Sequence, residues 1–449
     1  MLARLFAAPL AVATLGSAAS AQGPPWKPLD SATTAFIGVN VIPMTRDSVL
    51  LNHTVIVSAG RITSVGPVRS TAVPRGARRI DGRNRWLIPG LADAHVHLPY
   101  FADSVATPTL LRLFVAEGVT TVVNLLGLPE HLKLRERVAS GDLLGPLIAT
   151  SGYYVGAPFA TTVAQVDSLV RKQRADGFDM VKLHGNISAE AYAALLAAGQ
   201  REGMRVVGHL PRNLGLTAAV EGRQHMIAHA EEYLYGWFGF VRSPQTRESV
   251  LALVDSAARL TACGGMWVTP TLRVFAGIPA QKERLDSVLA TPAMQRIPER
   301  VKRRWQPANN QYRMLTPAAV EAIGNQALLL RRLTLALHQA DVPLLMGTDA
   351  MATAAVLPGT SAHEELQELV QAGLSSLAAL KTATVNVAKF LGIPSEFGVV
   401  GPGYRADLLL LDANPLEDIR ATSRIAGVML RGRWFDAAAL QSLRETPPD

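Results

Sequence analysis

The residues able to do chemistry in this chain sit at the ends of apolar runs. One such run, Trp86-Leu87-Ile88-Pro89-Gly90-Leu91-Ala92-Asp93-Ala94, leads into His95-Val96-His97. On a β-strand the side chains at i and i+2 share a face, so His95 and His97 would aim both imidazoles at one spot. Two neutral nitrogens on a rigid strand give a divalent cation two of the ligands it needs. Taken alone, the pair is as well explained by two polar residues at a strand end, so the reading turns on whether further ligands follow. Met180-Val181-Lys182-Leu183-His184, Val206-Val207-Gly208-His209, Met226-Ile227-Ala228-His229 and Leu345-Met346-Gly347-Thr348-Asp349 repeat the pattern. His209 or His229 singly would read as an interior histidine, and Asp349 singly as a cap of the next segment. Lys182 resists that treatment, because an unpaired ammonium in an apolar setting is costly to desolvate. Jointly the residues read as a metal site. His225 stands at the start of its strand, the wrong end for the site, so His229 is preferred.

Elements must bring these residues together. Between Thr107 and Leu391 the sequence alternates apolar strand patterns with helical ones. Strands are expected at Thr120 to Leu126, Leu147 to Tyr154, Asp179 to Leu183, Arg205 to Leu210, His225 to Ala230, Met266 to Leu272 and Val342 to Gly347. With the histidine strand this makes about eight, the signature of an α/β fold of the (β/α)8 TIM-barrel type, in which function sits at the C-terminal strand ends. Both chain ends read as short β runs broken by turns. They predict a small β-sandwich from residues 30–86 plus 395–440, with the barrel, 87–394, inserted between its halves.

Composition bounds the rest. The 449 residues are 49% hydrophobic and 18% charged, enough for a large core and too apolar for a disordered chain. Met1-Leu2-Ala3-Arg4, the apolar run Leu5 to Gly16 and Ala19-Ser20-Ala21 have the three zones of a secretory signal over residues 1–21, so an exported, periplasmic or secreted protein is expected after cleavage near Ala21. That run is shorter than the ~20 residues of a membrane span, and no later stretch qualifies. A single cysteine, Cys263, excludes an intramolecular disulfide and cysteine-rich metal sites. The net charge of +8 is spread without aromatic-interleaved basic motifs, so it reads as a solubility feature with weak steering of anionic substrates, not as nucleic-acid binding. Oligomeric state is left open, a homo-oligomer included.

Several motifs carry a resemblance to a known family. Leu87 to His97, Val181-Lys182-Leu183-His184-Gly185, Gly208-His209, Ile227-Ala228-His229, Gly347-Thr348-Asp349-Ala350, His363-Glu364-Glu365-Leu366 and Gly401-Pro402-Gly403-Tyr404-Arg405-Ala406-Asp407-Leu408 follow one another in the order of the amidohydrolase superfamily. In detail the chain is similar to its imidazolonepropionase-like branch, which includes secreted dipeptidases. The resemblance implies two divalent ions, commonly zinc: His95, His97 and Asp349 would hold one, and His209 with His229 the other. Lys182, carboxylated by carbon dioxide, would bridge them as an anionic two-oxygen ligand. The family often carries an acidic residue where Ala228 stands.

The chemistry expected is hydrolysis of a C–N bond, amide or peptide-like, by water activated between the metals, with Asp349 as proton shuttle. Tyr153, Tyr154, His184 and Arg212 are candidates for substrate contact. The long connection from Arg273 to Thr316, with Arg284, Arg296, Arg300, Lys302, Arg303 and Arg304 around Trp305, suggests either a lid favouring carboxylate-bearing substrates, such as dipeptides or N-acyl amino acids, or a solvated basic helix. Alternatives on the same barrel are a single-metal deaminase and an esterase or lactonase. A non-catalytic binding protein ranks last, because every expected ligand position is filled.

Overall fold

Strand-forming residues near the start of the chain supply β1 (Thr34–Val41), β2 (Leu50–Ser58), β3 (Arg61–Pro67), β4 (Arg78–Asp81) and β5 (Trp86–Pro89). The computed structural model describes residues 26–99, 106–238 and 247–445, with the side chains of 247–250 excepted. The expected export signal over residues 1–21 lies outside the described residues.

The centre supplies β6 (Leu91–Val96), β7 (Val119–Asn124), β8 (Leu147–Thr150), β9 (Met180–Leu183), β10 (Arg205–Gly208), β11 (Met226–Ala228) and β12 (Trp267–Thr269). The end supplies β13 (Leu408–Leu411), β14 (Ile425–Leu430) and β15 (Arg433–Asp436).

The strands of both chain ends form one eight-stranded sheet, in the order β15-β14-β13-β5-β1-β2-β3 with β4 also on β1. The seam is β5, antiparallel to β13 from Leu408↔Pro89 to Leu411↔Trp86 and parallel to β1 at Asn40↔Trp86. Phe36, Val39, Val55, Leu87, Leu408, Leu410 and Met429 fill the core beneath it. Trp86 to Pro89 therefore belong to this sheet and not to the histidine strand, and the changeover falls at Gly90. A Cβ at Gly90 would stand 2.4 Å from Thr120 Oγ1, so only glycine lets the chain pass β7 so closely.

The central strands are parallel, in a three-stranded sheet β6-β7-β8 and a four-stranded sheet β12-β11-β10-β9, with helices between them. Single parallel bridges join the two sheets, Ser151↔Met180 and Val155↔Leu183 on one side. On the other side the segment 342–350, expected as an eighth strand, forms no continuous ladder. It makes one bridge to each neighbour, Leu344↔Val268 and Ala350↔Val96. Positive φ at Asp349 (58°) and Met351 (78°) turns its end out of the extended conformation.

Two more expectations shift. The helix Pro129–Ser140 is not evident from periodicity, because only His131, Val138 and Ala139 of it are buried. The long connection after β12 is not an open loop: the helices Leu272–Glu283, Leu285–Leu289, Pro292–Gln295 and Glu299–Lys302 pack it down. Met294, Ile297 and Trp305 share a buried cluster with Leu110, Leu113, Met351 and Leu357. Its basic residues are partly engaged within the fold, Arg296 with Glu117 at 3.1 Å, Lys302 with Glu299, and Arg304 over the Trp305 ring. Among the described residues no helix is long and apolar enough to cross a membrane.

Candidate metal centre

The site is built where β6 meets the segment after Leu345. The Ala94 amide donates to Met346 O at 2.8 Å, the Asp349 amide to His95 O at 2.7 Å and the His97 amide to Ala350 O at 3.0 Å. Gly347 makes this approach feasible, since a Cβ there would lie 2.3 Å from Thr269 Cγ2 and 2.8 Å from His95 Cβ. Asp93, on the same face of β6 as His95, locks the register from within. Its Oδ2 accepts the Thr348 hydroxyl at 2.6 Å, and its Oδ1 accepts the Thr348 amide at 3.0 Å and the His95 amide at 3.2 Å.

This scaffold brings His95 Nε2 and His97 Nε2 to 3.3 Å and 2.7 Å from one atom, Asp349 Oδ1. One potential ligand atom each of His95, His229 and Asp349 lies within 4.8 Å of the others. The His229 ring is 4.5 Å from that of His95, and the His209 ring 5.2 Å from that of His229. His229 holds a left-handed φ of 75°, and its Nδ1 pairs with Thr271 Oγ1 at 2.8 Å, which leaves Nε2 as its available nitrogen. His209 Nδ1 faces Glu232 Oε1 at 3.3 Å and Arg212 Nη2 at 3.4 Å. Glu232 is fully buried and accepts from Arg212 Nε at 3.0 Å. Both histidines thus have a partner that fixes ring orientation, as metal-binding imidazoles usually do.

Lys182 is 1% exposed, and its Nζ has no hydrogen-bond partner. Its stem passes Gly208, where a Cβ would sit 2.7 Å from Lys182 Cδ and 2.3 Å from Leu183 O. Burial pushes the Lys182 ammonium down to about 8, against the pull of Asp349 and Glu232. Burial also holds His95 and His209 well below the ordinary imidazole range and His229 at about 3, so all three are neutral and can offer lone pairs. For Asp349, burial works to raise the carboxyl, but His97, His229 and Lys182 outweigh it and keep it ionised.

The donor set fits a divalent cation. His95 Nδ1 and Lys182 Nζ are buried without hydrogen-bond partners, and His95 Nε2 has only the Asp349 carboxylate beside it. Such a cluster of unsatisfied polar atoms is unfavourable unless something is bound among them. Imidazole nitrogen and carboxylate oxygen are the ligands zinc takes, and a lysine amine suits such a site only after it has been made anionic.

Residues 86–435 match the amidohydrolase family over most of the chain. The chain belongs to that family. Relatives include an adenine deaminase of Mesorhizobium japonicum, 21% identical over 373 residues, which span 80% of this chain and 50% of that protein. An imidazolonepropionase of Stenotrophomonas maltophilia is 43% identical over 75 residues, 17% of this chain and 16% of that one. The chain spans about half the length of the adenine deaminases it matches. Among solved structures, the bottromycin amidohydrolase superposes with a TM-score of 0.71 at 26% identity, covering 92% of this chain and 88% of the other.

Within the amidohydrolase frame, the sequence-derived candidates sort by position. His95, His97, His209, His229 and Asp349 face one another, with Lys182 buried among them. His184 and Tyr154 adjoin the cluster through ring contacts, whereas Tyr153 offers its carbonyl to Gln173 at 2.7 Å. The Arg212 guanidinium is committed to Glu232 and stacks 4.3 Å over Tyr235. Sequence reasoning passed over Asp93, Glu232, Thr271 and Thr348. Asp93 had a signal, since it continues the two-residue period of His95 and His97. Glu232, an acid in the apolar stretch after His229, had a weaker one. Thr348 stood inside the Gly347–Ala350 motif without a role assigned, and Thr271 had no signal.

Proposed function

We propose that this chain is a metal-dependent amidohydrolase that cleaves the C–N bond of a small substrate, a dipeptide or an N-acyl amino acid. The observation that carries the reading is the convergence of His95, His97 and Asp349 on one point, beside His209, His229 and an unpartnered Lys182. In this reading His95, His97 and Asp349 would hold one divalent ion and His209 with His229 the second, with zinc the natural occupant. Lys182 would join both sets as a carbamate, formed when its neutral amine adds to carbon dioxide and loses a proton. The depressed lysine pKa supports this, because only the uncharged amine reacts. The supporting fold is read as a (β/α)8 barrel over 87–394 set on a β-sandwich from 30–86 and 395–440, and the single bridges that join the parallel sheets favour closure.

When bound, the ions would supply a water acidic enough to attack at neutral pH and a Lewis acid for the carbonyl oxygen. Asp349, ionised and in reach of the same point as His95 and His97, takes the proton of the attacking water and passes it to the leaving nitrogen. Asp93, Thr348, Glu232 and Thr271 keep the ligands oriented. Asp349→Asn should lower kcat/KM by about a hundredfold or more, the order expected when a positioned acid-base group is lost. An Asn variant with full turnover and unchanged metal content would remove the mechanism.

A single-metal deaminase is the second reading, favoured by the similarity to adenine deaminases. It needs no modified lysine. Metal stoichiometry, one ion per chain against two, separates the readings.

A further inference from the structure

The segment after β8 carries more aromatic surface than its own packing uses. Gly152-Tyr153-Tyr154-Val155-Gly156 leads to Phe159, which is 43% exposed and the one phenylalanine among the exposed large hydrophobics of the described residues. The segment is strapped in place. The Val155 amide donates to Lys182 O at 2.8 Å, the His184 amide to Val155 O at 2.8 Å and the Ala157 amide to Asn186 O at 2.9 Å. From behind, buried Gln173 donates to Tyr153 O at 2.7 Å, through a gap that only Gly152 leaves, since a Cβ there would stand 2.2 Å from Gln173 Cδ.

The rings so fixed form a continuous run from the metal centre outward. The His184 ring lies 4.4 Å from His209 and 4.4 Å from Tyr154, nearly parallel to the latter at 17°. Tyr154 is 5.8 Å from Phe159, and Tyr153 meets Phe159 edge-on at 5.0 Å and 85°. We propose that His184, Tyr154 and Phe159 form an aromatic wall, with Phe159 as its exposed outer ring, that selects substrates carrying a flat aromatic group. This rests on the hydrolytic reading above and names its substrate class. Offset and edge-to-face ring contacts add to the burial of apolar area, and a preorganised wall loses little entropy on binding. An aliphatic substrate would leave the face of Phe159 in water.

The test compares N-benzoylglycine, N-acetylphenylalanine and glycylphenylalanine with N-acetylglycine and glycylglycine on the metal-loaded enzyme. At least one aromatic compound should exceed its aliphatic counterpart in kcat/KM by about tenfold. Phe159→Ala, with an unchanged Tm as the check on folding, should cut that ratio by about threefold or more, and Phe159→Trp should retain it. Calorimetric titration with benzoate and L-phenylalanine against acetate and glycine reads the wall without turnover. No hydrolysis of any compound, together with aromatic binding that weakens in Phe159→Ala, would overturn the hydrolytic reading and leave the wall standing. Equal turnover and equal binding of aromatic and aliphatic compounds would overturn the wall, as would an aromatic preference unmoved by Phe159→Ala.

Discussion

Lys182 is the residue on which the two-metal reading turns, because as an ammonium it would face an orphaned, dry environment and as a carbamate it gains two acceptor oxygens. Lys182→Ala should bring metal content from about two ions per chain to one or fewer and lower kcat/KM by about a thousandfold, with partial recovery in added short carboxylic acids. Metal analysis with and without bicarbonate checks it. Glu232 matters at the same scale. It serves His209 Nδ1 and Arg212 together, so Glu232→Gln leaves a guanidinium without its counter-charge beside the site. We expect metal affinity to fall about 10- to 100-fold, the usual cost of losing such a supporting carboxylate, readable by competition with a chelating dye.

At the scale of elements, the site depends on strands approaching one another more closely than side chains allow. Gly208 ends β10 with a φ of 119°, and a Cβ there would collide with Leu183 O. Gly208→Ala should therefore destabilise the chain by about 2 kcal/mol or more and displace Lys182, visible as a lowered Tm together with reduced metal content. A Tm loss without metal loss would mean that the β9–β10 approach does not position the lysine. Glu365, on the helix Thr360–Gln371, acts at this scale as well. It caps the helix that starts at Leu272 by accepting the Leu272 amide at 2.9 Å and the Arg273 amide at 2.8 Å. The helix after β12 is thereby tied to the one after Asp349.

For the whole molecule, buried titratable groups set how stability responds to pH in the metal-free chain. Burial pushes Asp93 up to about 7 and Glu365 up to about 8, from 3.8 and 4.5. The folded state then binds more protons than the unfolded one across that interval, so these carboxyls lower stability as pH rises through it. The buried histidines act the other way, with the unfolded state taking the extra proton, and their contribution fades as pH rises past the ordinary imidazole value of 6.5. Lys182 acts only above about 8. From about pH 7 to 8, where the unfolded-state imidazoles are mostly neutral, Glu365 should lower stability by roughly 1 kcal/mol per pH unit, with Asp93 adding less as it ionises near 7. Thermal melts of chelator-treated protein check this, and Glu365→Gln should flatten the slope. Restoring metal should raise Tm at every pH, most where the ligands are already deprotonated.

The candidate ligand types were legible in the chain because the histidines and Asp349 close apolar runs and Lys182 interrupts one, patterns that are unusual whatever the fold. The alternation of strands and helices and the β character of both ends were legible for the same reason: periodicity is local. What needed the tertiary structure is whatever depends on contacts between distant segments. The sequence shows no reason for Trp86–Pro89 to leave the histidine strand until Leu408–Leu411 pairs with it. Nor does it separate Arg212 as a ligand-reaching cation from Arg212 held by Glu232, since both readings use the same charge and only distance decides between them. Thr348 and Thr271 are ordinary threonines in one dimension. They become part of the site because Asp93 and His229 lie within hydrogen-bond reach across 255 and 42 residues of chain.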